Sequence, residues 1–206
     1  MTTLLLRRAP LVAALLLGLA ATSAQAGQTC DVSFSTTSGG ATATGEEAFA
    51  CGPNARAAGR RATAIGTRAS ASEEDTVAVG QDSIASGFHS AAIGGQAVSS
   101  GRGATAVGWQ ARATGEFSTA TGNTALASGA NSTANGRASQ ATGDNSTAVG
   151  QDAQATGLNS TAVGQASRAT GEDATAIGQA ANASGFHSSA LGAQATASGR
   201  GATATG

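Results

Sequence analysis

Glycine recurs every seven residues over most of this chain. From Gly45 to Gly206 the frame has 24 positions, of which 23 are glycine, and the residue two before is alanine at 23. Periodicity on this scale marks a repeat architecture. An α-helical heptad repeat is excluded, because it needs two large apolar residues per heptad and each glycine costs a helix about 0.8–1 kcal/mol relative to alanine. Thr, Val and Ile alternating with Ala and Ser between glycines predict short strands joined by turns.

Alternate heptads differ, so the true period is fourteen residues. In one heptad the residue just before the glycine is apolar, and in the other it carries a hydroxyl, as in Thr142 and Thr156. Side chains alternate between the two faces of a strand. The glycine, the alanine two before it and the small residue four before it, such as Ser146 or Ser160, therefore share one face. We predict an all-β solenoid of 14-residue rungs, each with two short strands, around a thin interior of Gly, Ala and Ser.

The opposite face of one strand carries a column of apolar residues. Repeated about 4.8 Å apart, such a column exceeds the apolar patch that a soluble monomer tolerates, and burying each residue is worth roughly 1.5–3 kcal/mol. We therefore predict self-association through this column, and three chains around one axis would let every column meet two others. The predicted interface residues are Ile65, Val79, Ile93, Val107, Val149, Val163, Ile177 and Leu191.

Two successive rungs break this column. Thr121 and Asn135 stand where the other rungs have Val, Ile or Leu. They would form a wet or ion-holding layer at the axis, or they are a tolerated weak point. Glu73 is the single departure from glycine in the frame and indicates a bulge or a small insertion.

Composition excludes several classes of protein. With 3% aromatic and 11% charged residues, the chain has too few large apolar side chains for an ordinary globular core. A net charge of −1 removes the usual electrostatic case for a nucleic-acid or anionic-membrane partner. Disorder is the alternative for such a composition, and the strict period argues against it.

Residues 1–26 have the pattern of a secretory signal peptide. Arg7 and Arg8 precede an apolar run over residues 9–21, and Ala24-Gln25-Ala26 is a small-x-small cleavage site. The run is too short for a comfortable membrane span, so we expect no membrane span in this chain. The mature protein is predicted to begin at Gly27.

Residues 27–44 follow the frame poorly and are predicted to cap the first rung, because the terminal units of solenoids are usually atypical. Cys30 and Cys51 are the only cysteines. In an exported protein they predict one disulfide that closes a loop of about twenty residues, worth on the order of 3 kcal/mol. Residues 45–206 are the repeat array.

The remaining two residues of each heptad are predicted to be corners that point outward and contact partners. His89 and His187 lie at equivalent corners, within a segment at 80–108 that returns at 178–206. Their equivalence indicates copying, not a shared catalytic site, so we predict no enzyme. Zinc-ligand spacing and the calcium-binding nonapeptide pattern are both missing, and we predict no metal and no cofactor.

The rungs at Asn145–Gly150 and Asn159–Gly164 read NSTAVG and resemble the NSVAIG head repeat of YadA-like trimeric autotransporter adhesins. The similarity covers roughly residues 45–206, with Thr147 and Thr161 where the family motif has valine. The resemblance implies a left-handed parallel β-roll, three of which form a head on the outer membrane surface that binds host or matrix ligands such as collagen. It makes the head-motif positions Asn145, Ser146, Asn159 and Ser160 candidate ligand-binding residues.

The expected function is a non-catalytic cell-surface adhesin head that binds host or extracellular-matrix ligands multivalently as a homotrimer. The partner would be a host matrix protein or a cell-surface receptor. One alternative is a freestanding exported β-solenoid that binds a regular surface such as ice or a surface layer. Another is a structural fragment of a truncated gene, since we expect the array to lack a stalk and a membrane anchor. The chain is expected to be exported, and to stay at the cell surface if an anchor exists.

Overall fold

The computed structural model describes residues 28–30 and 39–206, and all regular structure there is β-strand. Successive strands alternate between two sheets, one of thirteen strands and one of twelve, and every neighbouring pair is parallel. Each 14-residue rung thus gives one strand to each sheet. This confirms the predicted all-β parallel roll with two strands per rung. The predicted signal peptide at 1–26 lies outside the described residues.

Strands of the first sheet are three residues long, and strands of the second sheet are two residues long. The first sheet contains β1 (Gln28–Cys30), β3 (Phe49–Cys51), β5 (Thr63–Ile65), β7 (Val77–Val79), β9 (Ala91–Ile93), β11 (Thr105–Val107), β13 (Thr119–Thr121), β15 (Thr133–Asn135), β17 (Thr147–Val149), β19 (Thr161–Val163), β21 (Thr175–Ile177), β23 (Ser189–Leu191) and β25 (Thr203–Thr205). The second sheet contains β2 (Thr42–Ala43), β4 (Arg56–Ala57), β6 (Ser70–Ala71), β8 (Ile84–Ala85), β10 (Val98–Ser99), β12 (Arg112–Ala113), β14 (Leu126–Ala127), β16 (Gln140–Ala141), β18 (Gln154–Ala155), β20 (Arg168–Ala169), β22 (Asn182–Ala183) and β24 (Thr196–Ala197).

Register is constant along the array, so that a residue pairs with the one fourteen positions away, as Val149 does with Val163. The first rung differs, because Cys30 pairs with Cys51 at a sequence separation of 21. These two residues are disulfide-bonded, with their Cα atoms 4.8 Å apart. Strands β1 and β2 lie within the predicted cap and extend both sheets by one strand. A cap at 27–44 stays a prediction.

The interior between the sheets is made of small side chains. Alanines two before the frame position, such as Ala148 and Ala155, are completely buried. Among the described residues, the largest side chains that are fully buried are Thr76 and a set of serines. The interior therefore consists of the small residues that the sequence predicts.

Frame glycines are required by the backbone of the next rung. A Cβ built on Gly150, whose φ is +127°, would lie 2.6 Å from the carbonyl oxygen of Gly164. A Cβ built on Gly143 would overlap the carbonyl oxygen of Gly157 outright. A Cβ at Gly143 or Gly150 would therefore force the backbone of the next rung to move.

Glu73 does not interrupt the register. On either side of it Ala71 pairs with Ala85 and Val77 pairs with Ala91, each fourteen residues on. The hypothesis of a small insertion is therefore wrong. At this corner the Thr76 hydroxyl donates a hydrogen bond to the Glu73 carbonyl oxygen at 2.6 Å.

Among the described residues, no helix is long and apolar enough to cross a lipid bilayer.

Candidate functional site

Corners of the roll are tight turns that repeat in register. In the turn that starts at Gly157, the N–H of Ser160 donates to the Gly157 carbonyl oxygen at 3.3 Å. Asn159 has a φ of +54°, in the left-handed region that asparagine tolerates better than most residues. Its N–H donates to the carbonyl oxygen of Asp144, one rung earlier, at 2.9 Å. Corner side chains are therefore stacked along the roll instead of pointing freely into solvent.

The stacked corners form two ridges along the roll. The short-strand ridge follows the strands of the second sheet and the long-strand ridge follows those of the first. The short-strand ridge comprises residues 46–47, 60–61, 74–75, 88–89, 102–103, 116–117, 130–131, 144–145, 158–159, 172–173, 186–187 and 200–201. The long-strand ridge comprises residues 53–54, 67–68, 81–82, 95–96, 109–110, 123–124, 137–138, 151–152, 165–166, 179–180 and 193–194.

A hydrogen-bonded ladder of amides runs along the short-strand ridge. Asn131 Nδ2 donates to Asn145 Oδ1 at 3.3 Å, and Asn145 Nδ2 donates to Asn159 Oδ1 at 3.1 Å. Asn159 Nδ2 then donates to Asp173 Oδ1 at 3.0 Å, and Asp173 Oδ2 lies 3.1 Å from His187 Nε2. Each central amide keeps one N–H and one lone pair for another partner. Asn145 and Asn159 are exposed, so the structure leaves these two predicted residues accessible to a ligand.

The positions of Ser146 and Ser160 do not fit the ligand-binding role that the resemblance implies. Both side chains are completely buried in the roll interior, and neither hydroxyl has a hydrogen-bond partner. A ligand on the outside of the folded roll cannot reach them. The physical reason is the alternation of faces, which directs the residue four before each glycine inward.

An ion-pair cluster occupies the same ridge nearer the N-terminus. Arg61 donates to both carboxylate oxygens of Asp75, at 2.5 and 2.6 Å, and Arg60 pairs with Glu74. The hydrogen bond from Arg61 lowers the pKa of Asp75 below its ordinary value and raises the pKa of Arg61. His89 Nε2 lies 3.2 Å from the second oxygen of Asp75.

Aromatic rings and arginines follow the carboxylates on this ridge. Phe88 stacks on His89 with ring centroids 4.0 Å apart, and the Arg102 guanidinium lies 5.8 Å from the centroids of both Phe88 and Phe117. These contacts are cation–π interactions. The arrangement returns seven rungs later, where Phe186 packs on His187 and Arg200 lies 5.1 Å over Phe186. The sequence shows the copied residues, whereas the contacts between neighbouring corners are visible only in the structure.

Sequence reasoning missed a groove beside the long-strand ridge. Its volume is about 700 Å³, and it lies against the outer face of the second sheet. Gln110 Nε2 donates to Gln96 Oε1 at 2.7 Å along one wall. The feature of the sequence that indicates this groove is the change from long to short side chains on this ridge, at Thr124 and Ala138. Its lining residues are Gln96, Gln110, Arg112, Thr124, Leu126, Ala138 and Gln140.

The predicted interface residues form one straight column on the outer face of the first sheet. Pairing places Val149, Val163, Ile177 and Leu191 side by side on successive strands. Among the described strands β5 to β23, none of the outward side chains on this face is charged. The outer face of the second sheet carries Arg56, Arg112 and Arg168. The exposed members of the column are Ile65 (38%), Ile93 (41%), Val149 (37%), Ile177 (43%) and Leu191 (39%).

Within residues 28–30 and 39–206, no group of three or more His, Cys, Asp or Glu side chains is placed to hold a metal ion. The two histidines of the short-strand ridge each lie against one carboxylate of the preceding rung, His89 against Asp75 and His187 against Asp173.

Comparison with known proteins extends these observations. The family model described as YadA head domain repeat matches residues 43–69, 57–83, 85–111, 99–125, 127–153, 155–181 and 183–206. A comparison with curated proteins found no match. Among solved structures, the chain is similar to the collagen-binding domain of the Yersinia adhesin YadA, with 26% identity and a TM-score of 0.36. That match covers 71% of this chain and 66% of the other, just under two thirds of its length. Because the family match extends over most of the described array, rung by rung, the chain belongs to the family of YadA head-domain repeats.

Proposed function

We propose that this chain is a non-catalytic adhesin head that acts as a homotrimer on the cell surface and binds an extracellular-matrix protein or host receptor multivalently. The observation that carries the proposal is the apolar column on the uncharged face of the first sheet. In a single chain five of its residues are at least 37% exposed. Association would bury them, at roughly 1.5–3 kcal/mol for each fully buried residue.

Ligand contacts are assigned to the short-strand ridge. Its amide ladder presents Asn145 and Asn159 in fixed orientations, each with hydrogen-bonding capacity left over. Exposed apolar side chains lie on the same ridge, with Phe117 at 54% and Leu158 at 43%. Repetition of these weak contacts along three chains would multiply their effect, because each further contact is intramolecular once the first has formed.

The first test of the proposal is the mass in solution, measured by multi-angle light scattering on the exported chain. Three times the chain mass is expected. A stable monomer with the first sheet open to water would contradict the adhesin head and favour the freestanding solenoid.

The second test is ligand binding. Immobilised fibrillar collagen, laminin and fibronectin are suitable probes, because the family resemblance points to matrix proteins. We expect Asn145→Ala combined with Asn159→Ala to weaken binding to the responsive probe about tenfold, since two ladder amides are removed in each of three chains. Gln151→Ala combined with Gln165→Ala changes the same rungs on the long-strand ridge and serves as the matched control. Equal losses in both double variants would reject the assignment to the short-strand ridge.

A further inference from the structure

The apolar column is interrupted at its middle. Four apolar rungs, from Ile65 to Val107, precede Thr121 and Asn135, and four more, from Val149 to Leu191, follow them. Strand pairing places Val107 beside Thr121, Thr121 beside Asn135 and Asn135 beside Val149. The two polar side chains therefore lie in line with the apolar ones on the same outer face of the first sheet.

A face this regular leaves the alignment of two copies poorly determined. Successive rungs are about 4.8 Å apart and nearly identical. A copy shifted by one rung along an uninterrupted apolar column would lose only one layer of contacts at the end. Strands without a distinguishing pattern are prone to such slippage. Charged residues on this face cannot set the alignment, since the first-sheet strands from β5 to β23 carry none.

We propose that Thr121 and Asn135 set the register in which copies of this chain associate through the apolar column. This inference rests on the proposed trimer. In aligned copies Asn135 meets Asn135 and Thr121 meets Thr121 around the common axis, and these groups can both donate and accept hydrogen bonds across the copies. A polar residue at one core position of a coiled coil fixes alignment in the same way, at a cost in stability.

Misaligned copies lose those hydrogen bonds. A shift of one rung keeps a single polar contact, Thr121 of one copy against Asn135 of the other, and places the remaining Asn135 against Val149 and the remaining Thr121 against Val107. A shift of two rungs between two copies places both polar residues of each copy against apolar ones. A buried amide that faces only apolar groups has lost its hydrogen bonds to water and has gained no others in their place. The aligned trimer is therefore favoured over every shifted one.

The occupant of this face is a second copy of the same chain. The outer face of the thirteen-stranded first sheet measures on the order of 600 Å², from about 4.8 Å per strand and about 10 Å of strand length. Each chain of the trimer would divide this face between two neighbours, and the three faces together amount to roughly 1,800 Å², against about 1,200–2,000 Å² of total buried surface in a standard interface. A second copy also matches it in rung spacing and in the absence of charge.

Photo-cross-linking tests the proposal. A photoreactive amino acid is placed at Thr161, which faces outward beside Val163, and cross-linked peptides between copies are identified by mass spectrometry. In the otherwise unaltered chain we expect cross-links centred on the partner's residues 161–163. In the variant with Thr121→Val and Asn135→Val we expect an assembly with a higher melting temperature, and cross-links that spread to 133–135 and 189–191, two rungs away.

A matched variant moves the polar pair by two rungs and keeps one Thr and one Asn in the column. It combines Thr121→Val and Asn135→Val with Ile93→Thr and Val107→Asn. Cross-links should return to a single register. In mixtures with the unaltered chain, cross-links between the two kinds of chain should be displaced by two rungs.

Three outcomes would overturn the proposal. If the Thr121→Val and Asn135→Val variant keeps a single register, alignment is set elsewhere, and the trimer itself still stands. If that variant no longer assembles, the pair contributes affinity and not register. If the unaltered chain is a monomer by light scattering, the proposed trimer fails and this inference fails with it.

Discussion

Two kinds of glycine alternate along the array. Gly150 has a φ of +127°, in the region that side chains rarely adopt. Gly143 is not in that region, but its Cα faces the carbonyl oxygen of Gly157. Alanine is therefore excluded at Gly150 mainly by the positive φ angle, and at Gly143 by the backbone of the next rung. Both demands recur at every rung, which is why the sequence keeps glycine at nearly every frame position.

Gly143→Ala is expected to lower the free energy of unfolding by about 2–3 kcal/mol, because the added methyl group overpacks two rungs that cannot separate locally. Urea unfolding followed by circular dichroism measures the change. Gly95→Ala is the control, since a Cβ there would lie 3.3 Å from the Trp109 ring, a side chain that can move. We expect the control to change stability by less than about 0.5 kcal/mol. Similar losses in both variants would show that loss of glycine itself, and not overlap of rungs, causes the effect.

At the scale of elements, the ridges matter more than single strands. Strands of two or three residues contribute few hydrogen bonds each, and the corner side chains add contacts that run along the roll. The Arg61–Asp75 pair and the amide ladder from Asn131 to Asp173 link corners fourteen residues apart. Repeat proteins gain much of their stability from such nearest-neighbour contacts.

The Arg61–Asp75 pair makes stability depend on pH. Because the hydrogen bond from Arg61 lowers the pKa of Asp75 in the folded state, the pair stabilises the fold above the unfolded carboxyl pKa of about 3.9. This stabilisation is lost as the pH falls through the lower folded pKa. We expect Asp75→Asn to melt at a lower temperature than the unaltered chain at pH 7, and the two to converge near pH 2.

Calorimetric melting temperatures between pH 7 and pH 2 measure this difference. Sodium chloride at 0.5 M is the control, because screening should shrink the difference at pH 7 between these exposed groups. Parallel pH profiles for the two proteins would contradict a contribution from the Arg61–Asp75 hydrogen bond.

At the scale of the whole molecule, the thin core limits the hydrophobic stabilisation that a single chain can gain. Over residues 39–206, the fully buried side chains are alanine, serine and one threonine, each of which removes little apolar surface from water. The larger apolar residues lie outside, and many of them belong to the column on the first sheet. Stability of the proposed trimer should therefore depend on protein concentration, as it does for any obligate assembly.

Melting temperature is expected to rise with concentration between about 1 and 100 μM. Val149→Glu combined with Val163→Glu should abolish this dependence and give a monomer, because charges would be buried without partners. Thr142→Glu combined with Thr156→Glu places the same charges on the outer face of the second sheet and should leave the trimer intact. Differential scanning calorimetry and light scattering make the comparison. A trimer that survives the valine substitutions would place the interface on another face.

The resemblance and the alternation of faces gave different predictions for the same two residues. Alternation directs Ser146 and Ser160 inward, whereas the head-motif resemblance made them candidates for ligand contact. The structure follows alternation, because a side chain in a parallel ladder cannot change face without shifting the whole strand. Asn145 and Asn159 lie in the corners, where no such constraint acts, and they are exposed.

The sequence by itself determined the 14-residue rung, the small-residue interior and the apolar column, because each follows from steric demands that repeat along the chain. Only the tertiary structure decided how the corners pair, as in Asn159 with Asp173 or Arg102 between two phenylalanine rings. It also decided that Glu73 adds no residue to the register. These features depend on side-chain rotamers and on backbone angles at the turns. Composition and periodicity do not specify those angles, and stacking of neighbouring rungs fixes them.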